Sequence, residues 1–335
     1  MNYIGSKSKL SSWIKSEIIT IVGSDLSDKI FCDIFAGTGI IGRTLKKDVK
    51  QIIANDLEYY SYILNKNYIE NHKEIKDKEK YIEELNNLPL IDNGFIYQNY
   101  CIGSGSNRQY FTDENGKKID SIRIKIQEWY ENKQIDNNTY YFLLASLLES
   151  ADKVANTASV YGAFLKNIKK SAQKKLILKS ADFIENNNSH KVFNEDSNQL
   201  IKKICGDILY LDPPYNQRQY GANYHLLNTI AKYKPFEPKG KTGLPKYNRS
   251  NYCKKSEVKN SFEELIKNAD FKYIFLSYNN EGLMNKDEIK DIMQKYGKYD
   301  GKIKEYQRFK ADKNRNYKNN ITFEYLHILK KERKL

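Results

Sequence analysis

Residues 210–215 read Tyr-Leu-Asp-Pro-Pro-Tyr, and Asn-Gln-Arg-Gln-Tyr follows at once. The approach, Asp-Ile-Leu-Tyr-Leu-Asp at 207–212, has the apolar content of a buried strand, yet two prolines end it. Neither supplies a backbone N–H, so neither fits inside a hydrogen-bonded strand. The stretch therefore sets a carboxylate (Asp212), a carbonyl stiffened by two rings (Pro213, Pro214) and an aromatic face (Tyr215) at fixed spacing. Two oxygen acceptors and a flat surface, held rigid, are the parts of a site; a proline-rich strand end is the plainer reading.

A second group lies upstream, in Asp-Ile-Phe-Ala-Gly-Thr-Gly at 33–39. Gly37 and Gly39 let the backbone turn sharply and let a ligand approach where a Cβ would stand. Such a turn at the carboxyl end of a strand is where open α/β sheets bind nucleotides. The Lys of a P-loop is missing, and the third glycine of a dinucleotide fingerprint is misplaced. Roughly twenty residues on, Asp56 ends a second apolar run, the position from which an acid accepts both ribose hydroxyls. It is equally a cap for the helix that starts near Glu58. Together the glycines and the acid point to an adenosine-type cofactor.

The elements around these residues have a clear rhythm. Residues 8–23 carry apolar positions at helical spacing, with Gly23 as the stop. Residues 29–47 pass from strand through the glycine turn into a helix, 49–57 read as a strand, and 58–72 as a helix. That alternation predicts a parallel sheet with right-handed crossovers. From 73 to 190 strand signals fade and helical ones take over, including 122–131 and 140–155. Strand signals return at 190–196, 206–215 and 272–282, and 302–309 with 321–331 predict a closing antiparallel hairpin. The expectation is a sheet domain from 1–72 and 191–335, interrupted by a mainly helical insertion at 73–190. Residues 234–255 mix Pro, Gly, basic and aromatic residues and are too polar for core. They form either a solvated loop or one laid against phosphates.

Phe-Ala-Gly-Thr-Gly, Asn-Asp-Leu (55–57) and Asp-Pro-Pro-Tyr in this order resemble the S-adenosylmethionine-dependent amino-methyltransferases of nucleobases. The opening Asn-Tyr-Ile-Gly-Ser-Lys resembles the first motif of the Dam-like (D12 class) adenine-N6 DNA methyltransferases. Residues 156–166, 212–231 and 274–284 resemble those of type II and type IIS restriction–modification systems. The resemblance spans most of the chain apart from 73–150. It implies a Rossmann-like fold with a mostly parallel seven-stranded sheet, a C-terminal antiparallel hairpin and an inserted recognition domain. It also implies S-adenosyl-L-methionine as cofactor, no metal, and duplex DNA with a specific short site as partner. A cognate restriction endonuclease would act separately, and the source would be a prokaryote or phage.

The chemistry of that family explains the broken strand. The lone pair of adenine N6 is delocalised into the ring. Asp212 and the Pro213 carbonyl, each accepting one N6–H, would favour a more tetrahedral nitrogen aimed at the methyl group. Tyr215 would stack on the base, worth roughly 1–3 kcal/mol, and the base must leave the duplex to arrive there. Carried over residue by residue, the resemblance gives Tyr3 and Lys7 to the methionine end of the cofactor, Lys7 pairing with its carboxylate. Asp33, Phe35, Gly37 and Gly39 would form the turn beneath it, Asp56 would bind ribose and Leu57 the adenine ring. Asp196 would accept from the cofactor's amino group, with Glu195 as competitor, and Asp212 would sit between cofactor and base, touching both. Tyr3 stands where Dam-like enzymes often carry Trp. Lys7 as a solvated charge and Asp196 as a cap are the plain alternatives.

Composition sets the outer bounds. The chain has 335 residues, 40% of them hydrophobic, and a net charge of +14. This supports a real core and a polyanionic partner, nucleic acid before an anionic membrane surface; a Lys-rich compositional bias would give the same charge. Cys32, Cys101, Cys205 and Cys253 show no metal-ligand spacing, and no stretch reaches membrane-spanning length, so the chain is expected in the cytoplasm. Arg108 and Arg123 are candidate base readers, since Arg pairs bidentately with guanine; Arg218, Lys241 and Arg249 are candidate DNA contacts. Two other functions remain open from sequence: methylation of adenine in ribosomal RNA, and non-catalytic nucleic-acid binding on the same fold. Asp212 speaks against cytosine-N4 and glutamine methylation, where Ser and Asn tend to stand first.

Overall fold

The structure, a computed structural model, describes residues 7–307 and 321–331. Seven strands form one sheet: β1 Ile30–Asp33, β2 Gln51–Asn55, β3 Lys191–Phe193, β4 Cys205–Leu211, β5 Asp270–Asn279, β6 Gly297–Gln307 and β7 Ile321–Lys331. Their order is β3-β2-β1-β4-β5-β7-β6. β1 is parallel to β2 and β4, β2 to β3, and β4 to β5, while β7 runs antiparallel between β5 and β6. This is the expected α/β architecture, a mostly parallel sheet closed by an antiparallel hairpin.

The strand order reverses between β1 and β4, so their carboxyl ends lie side by side, with Asp33 opposite Tyr210. Open α/β sheets bind ligands at such a switch point. The register thus sets the glycine turn after β1 next to the Asp-Pro-Pro-Tyr that leaves β4. Leu211 lies opposite Leu276, and Asn279 of β5 lies opposite Glu324 of β7.

The helices, in chain order, are α1 Ser11–Val22, α2 Ile40–Leu45, α3 Tyr59–Asn65, α4 Lys78–Asn87, α5 Phe95–Tyr100, α6 Asp113–Glu131, α7 Asn137–Val154, α8 Ser197–Leu200, α9 Tyr220–Asn223, α10 His225–Lys232, α11 Val258–Asn268 and α12 Lys286–Gln294. α1 ends at Gly23. α11 and α12 carry no breaker and an apolar stripe, Val258, Phe262, Leu265 and Ile266 on one, Ile289, Ile292 and Met293 on the other. These stripes join Leu209, Leu211, Ile274 and Leu276 in the sheet's core. Among the described residues no helix is long and apolar enough to cross a membrane.

The chain divides into two compact units. Among the described residues, the sheet unit draws on 7–65, 186–219, 248–307 and 321–331; the helical unit takes Lys66–Glu185 and Tyr220–Tyr247. The second helical segment follows from α10, whose Leu226, Leu227, Ile230 and Ala231 are buried against a unit built on the apolar α7. Sequence rhythm shows the one long interruption, whereas this return of a short segment depends on packing.

Two charged side chains of α6 cap other helices of that unit. Asp120 accepts from the N–H groups of Ile96 and Tyr97 at the start of α5, and from the Tyr233 hydroxyl. Arg123, three residues on and buried, donates to the carbonyls of Ile230 and Ala231 at the end of α10 and to Gln127. Each charge has the sign that its helix end favours. Arg123 is thus a structural cap rather than a base reader. Replacing it by Ala strands two buried carbonyls, and we expect Arg123→Ala to lower unfolding stability by about 1.5–3 kcal/mol. Chemical denaturation checks this, and a loss below about 0.5 kcal/mol, the usual scale of a surface substitution, would show the cap to be dispensable.

Candidate active site

The site assembles at the carboxyl ends of β1, β4 and β5 and the amino end of the antiparallel β7. After β1, the backbone takes left-handed turns at Gly37 (φ 53°) and Gly39 (φ 74°), which side chains disfavour. Asp56, just past β2, pins that turn: one carboxylate oxygen accepts from Gly37 N–H at 2.8 Å, the other from Glu58 N–H at 2.8 Å. Asn65 closes the loop from the other side by donating to the Gly37 carbonyl at 3.0 Å. Burial pushes the Asp56 carboxyl up to about 6, against these two hydrogen bonds. The cap and the turn clamp are therefore both present, and each oxygen keeps acceptor capacity for another donor.

Asp33 ends β1 fully inside, with one carboxylate oxygen lacking any partner among the described residues. Burial, with the Asp212 and Asp56 carboxylates nearby, holds its carboxyl well above the usual range. Buried polar atoms left without a partner are uncommon in folded proteins. Phe35 packs edge-on against Tyr252, ring centroids 4.9 Å apart, and Tyr252 is itself buried and donates to Asn198. Residues 234–255 were expected to lie outside the core, yet Tyr252 enters it through a one-turn helix capped by Ser250. Leu57 is half-buried.

At β4 the centre is a buried cation between two carboxylates. Lys7 Nζ lies 2.8 Å from Asp212 Oδ1 and 3.2 Å from Glu324 Oε1. Lys7 and Glu324 are only 5% and 1% exposed at their side chains, Asp212 18%. Ser277 of β5 donates to the same Glu324 oxygen. Lys7 is thus no solvated charge, and its ammonium has a third donor beyond these two bonds. Asp212 keeps Oδ2 unpaired among the described residues, and no described group donates to the Pro213 carbonyl. Burial first, and the Glu324 carboxylate with it, push the Asp212 carboxyl up to about 6 against the pull of Lys7. Tyr215 is half-buried, its ring 5.8 Å from the Lys7 ammonium, and its carbonyl accepts from Leu283 N–H at 2.9 Å.

Other expected residues are placed differently. Tyr3 lies outside the described residues. Asp196 is exposed and caps α8, accepting from the N–H groups of Asn198 and Gln199. The Glu195 carboxylate is engaged by Lys203 at 2.6 Å. Arg108 sits in the helical unit and donates to the carbonyls of Asn99, Pro238 and Gly240, fastening two loops of that unit together rather than presenting a free fork. Arg218, Lys241 and Arg249 are exposed. Glu324 was missed from sequence, because in "ITFEYLHILKK" it reads as the polar face of an alternating strand.

Comparison with known proteins decides the family. A family profile described as D12 class N6 adenine-specific DNA methyltransferase matches residues 3–292. The chain belongs to this family. It is 64% identical over 333 residues to the type II methyltransferase M.NlaIII of Neisseria lactamica, covering 99% of both chains. The type II methyltransferase M.CviAII of Paramecium bursaria Chlorella virus 1 is 38% identical over 93% of both chains. M.FokI of Planomicrobium okeanokoites is 42% identical over 89% of this chain, but only 47% of M.FokI is covered. The fold is accordingly that of a Rossmann-like methyltransferase, and the chain is an adenine-specific DNA methyltransferase.

The raised Asp212 carboxyl has a consequence for stability. An acid whose folded pKa exceeds its unfolded value contributes stability below the unfolded pKa, and that contribution is lost as pH rises through the folded one. Between about pH 4 and pH 7 the wild type should therefore lose stability relative to Asp212→Asn, by at most about 3 kcal/mol at ~1.4 kcal/mol per pK unit. Denaturation of both proteins at the two pH values measures this; a pH-independent difference would mean the carboxylate is not strained by burial.

Proposed function

We propose that this methyltransferase acts on N6 of an adenine flipped out of duplex DNA at a short specific site, with S-adenosyl-L-methionine as methyl donor. The observation that carries the reading is the Asp212 carboxylate: one oxygen held by a buried lysine, the other free, next to a carbonyl fixed by two prolines. When bound, the cofactor supplies a methyl group on positively charged sulfur. Lys7 offers its third donor to the cofactor's carboxylate, the turn of Asp33, Phe35, Gly37 and Gly39 lies beneath it, and Asp56 takes the ribose. Leu57 meets the adenine ring, Asp196 accepts from the cofactor's amino group beside its cap bonds, and Tyr3 contributes at the methionine end. The unpartnered Asp33 oxygen supports a polar ligand there.

Asp212 Oδ2 and the Pro213 carbonyl each accept one N6–H, and Pro214 holds that carbonyl in place. Tyr215 stacks on the extruded base. As the new N–C bond forms, N6 must lose a proton, and a carboxyl near 6 takes it without a large energetic mismatch. Protonating Asp212 would leave Lys7 as a buried unpaired cation, normally a cost of about 3–5 kcal/mol. Glu324 prevents this: Lys7 stays neutralised while Asp212 is protonated. Asp212 is partly exposed, so the proton passes on to water.

The helical unit reads the site, with Arg218, Lys241 and Arg249 on phosphates. The biological role is protection of host DNA, with the matching endonuclease as a separate protein in the same soluble compartment. A tritiated-methyl assay on duplex DNA, tRNA and rRNA tests the substrate; incorporation into RNA alone would overturn the reading. Asp212→Ala should abolish transfer, by at least about a thousandfold, and still bind cofactor. Retained turnover would remove Asp212 from the chemistry. The wild-type kcat should fall with pH through about 6. In Glu324→Gln that acid limb should move to lower pH, because Asp212 loses a repelling neighbour. A lowered rate with an unmoved limb would reduce Glu324 to a packing role.

A further inference from the structure

From Lys153 to Ala181 the chain holds seven lysines and no acid, although Asp and Glu make up 42 of its 335 residues. Such a run is ordinarily a loose, solvated segment. Here it is neither helix nor strand after Val154, yet it is ordered. Its backbone is fastened residue by residue to side chains of the helical unit, which stand in for a neighbouring strand. Asn156 donates to the Leu165 carbonyl and accepts from Lys169 N–H, both at 3.0 Å. Asn115, buried in α6, donates to Ala172 and Lys174 carbonyls and accepts from Leu176 N–H. Asn86 of α4 both donates to and accepts from Leu178. Ser150 and Ser146 of α7 accept from Lys179 and Ala181, and Asn67 donates to the Ala181 carbonyl.

The apolar side chains follow the same logic. Leu176 and Leu178 are buried and Ile177 and Lys179 exposed, the two-residue alternation of an extended chain on a surface, and Ala172 and Ala181 are buried to either side of it. With its backbone held at these points and Lys169 turned to the Thr157 carbonyl, the strap carries its other charges outward. Lys166, Lys170, Lys174, Lys175 and Lys179 are exposed. Among the described residues, Lys166, Lys170, Lys174 and Lys179 have no carboxylate partner, and only Lys175 has one, Glu114 at 3.1 Å on the open surface. Exposed lysines of the sheet unit are of both kinds: Lys202, Lys203, Lys259 and Lys295 each pair with a glutamate, and Lys50, Lys191, Lys272 and Lys290 have no carboxylate partner among the described residues. The strap differs in gathering four such lysines within one acid-free run.

We infer that this strap is a rail for the phosphate backbone of duplex DNA, a surface that positions the substrate without reading its sequence. Four unpaired ammonium groups on a fixed backbone meet a polyanion with no backbone ordering cost and with little internal charge to displace. Lysine suits the task, since as a point charge it holds phosphate without demanding base geometry. The inference rests on the function proposed above.

The test uses the full-length protein with Lys166, Lys170, Lys174 and Lys179 all changed to Ala, and a second variant with the same four changed to Arg. These side chains are exposed and unpaired, so both variants should fold, which circular dichroism verifies. Affinity for a methylatable duplex and an unrelated duplex is measured by fluorescence anisotropy across a salt series. Each phosphate contact contributes about 0.9 to the slope of log K against log salt. The Ala variant should therefore lose up to about 3.6 of slope, equally on both duplexes, with kcat at saturating DNA unchanged; the Arg variant should keep the wild-type slope. An unchanged slope in the Ala variant, while the wild type methylates DNA, would overturn the rail alone. A loss confined to the methylatable duplex would also overturn it, in favour of base reading. A wild type that transfers no methyl to any DNA would sink the functional reading and this proposal with it.

Discussion

The structure turns on one buried ammonium. Lys7 is inaccessible to water and has two carboxylates within reach, Asp212 from the end of β4 and Glu324 from β7. Burying a lone ammonium is costly enough that the group would shed its proton. Two acids reverse this, and Lys7 is held well above its usual pKa despite burial. The same arrangement fixes Asp212 in orientation and raises its carboxyl. Charge balance, rather than a single salt bridge, is what makes the position tenable.

The sheet supplies the rigidity that such an arrangement needs. The reversal of strand order at β1 and β4 brings the glycine turn and the Asp-Pro-Pro-Tyr segment together. The antiparallel insertion of β7 beside β5 brings Glu324 and Ser277 to the same end. Asp56, from the end of β2, then grips the Gly37 turn that follows β1. A site built on strand ends can hold acceptors within a few tenths of an ångström, as electrostatic preorganisation requires.

The helical unit works on a different principle. Around its apolar core, polar side chains replace missing backbone partners: Asp120 and Arg123 at helix ends, Arg108 between loops, and the asparagines beneath the lysine strap. This allows long irregular segments to be ordered without regular secondary structure. It also explains why basic residues there divide into two kinds. Arg108 and Arg123 are engaged by the fold, and Lys166, Lys170, Lys174 and Lys179 are left facing solvent.

The sheet, the glycine turn, the strand break at Asp-Pro-Pro-Tyr and the family were all legible in the sequence, because each depends on local signals: apolar periodicity, glycines where φ is positive, and prolines that break a strand. The positions of Gly37, Asp56 and Asp212 at strand ends were legible for that reason. What only the tertiary structure decided depends on partners far apart in the chain. Glu324 joins Lys7 across more than three hundred residues, Tyr252 enters the core from a segment that reads as a polar loop, and residues 220–247 return to the helical unit. Arg123 reads as a surface charge until the end of α10 is seen against it. Local composition can announce a charge, but whether that charge is buried, capped or free is settled by which helix end or carboxylate the fold brings to it.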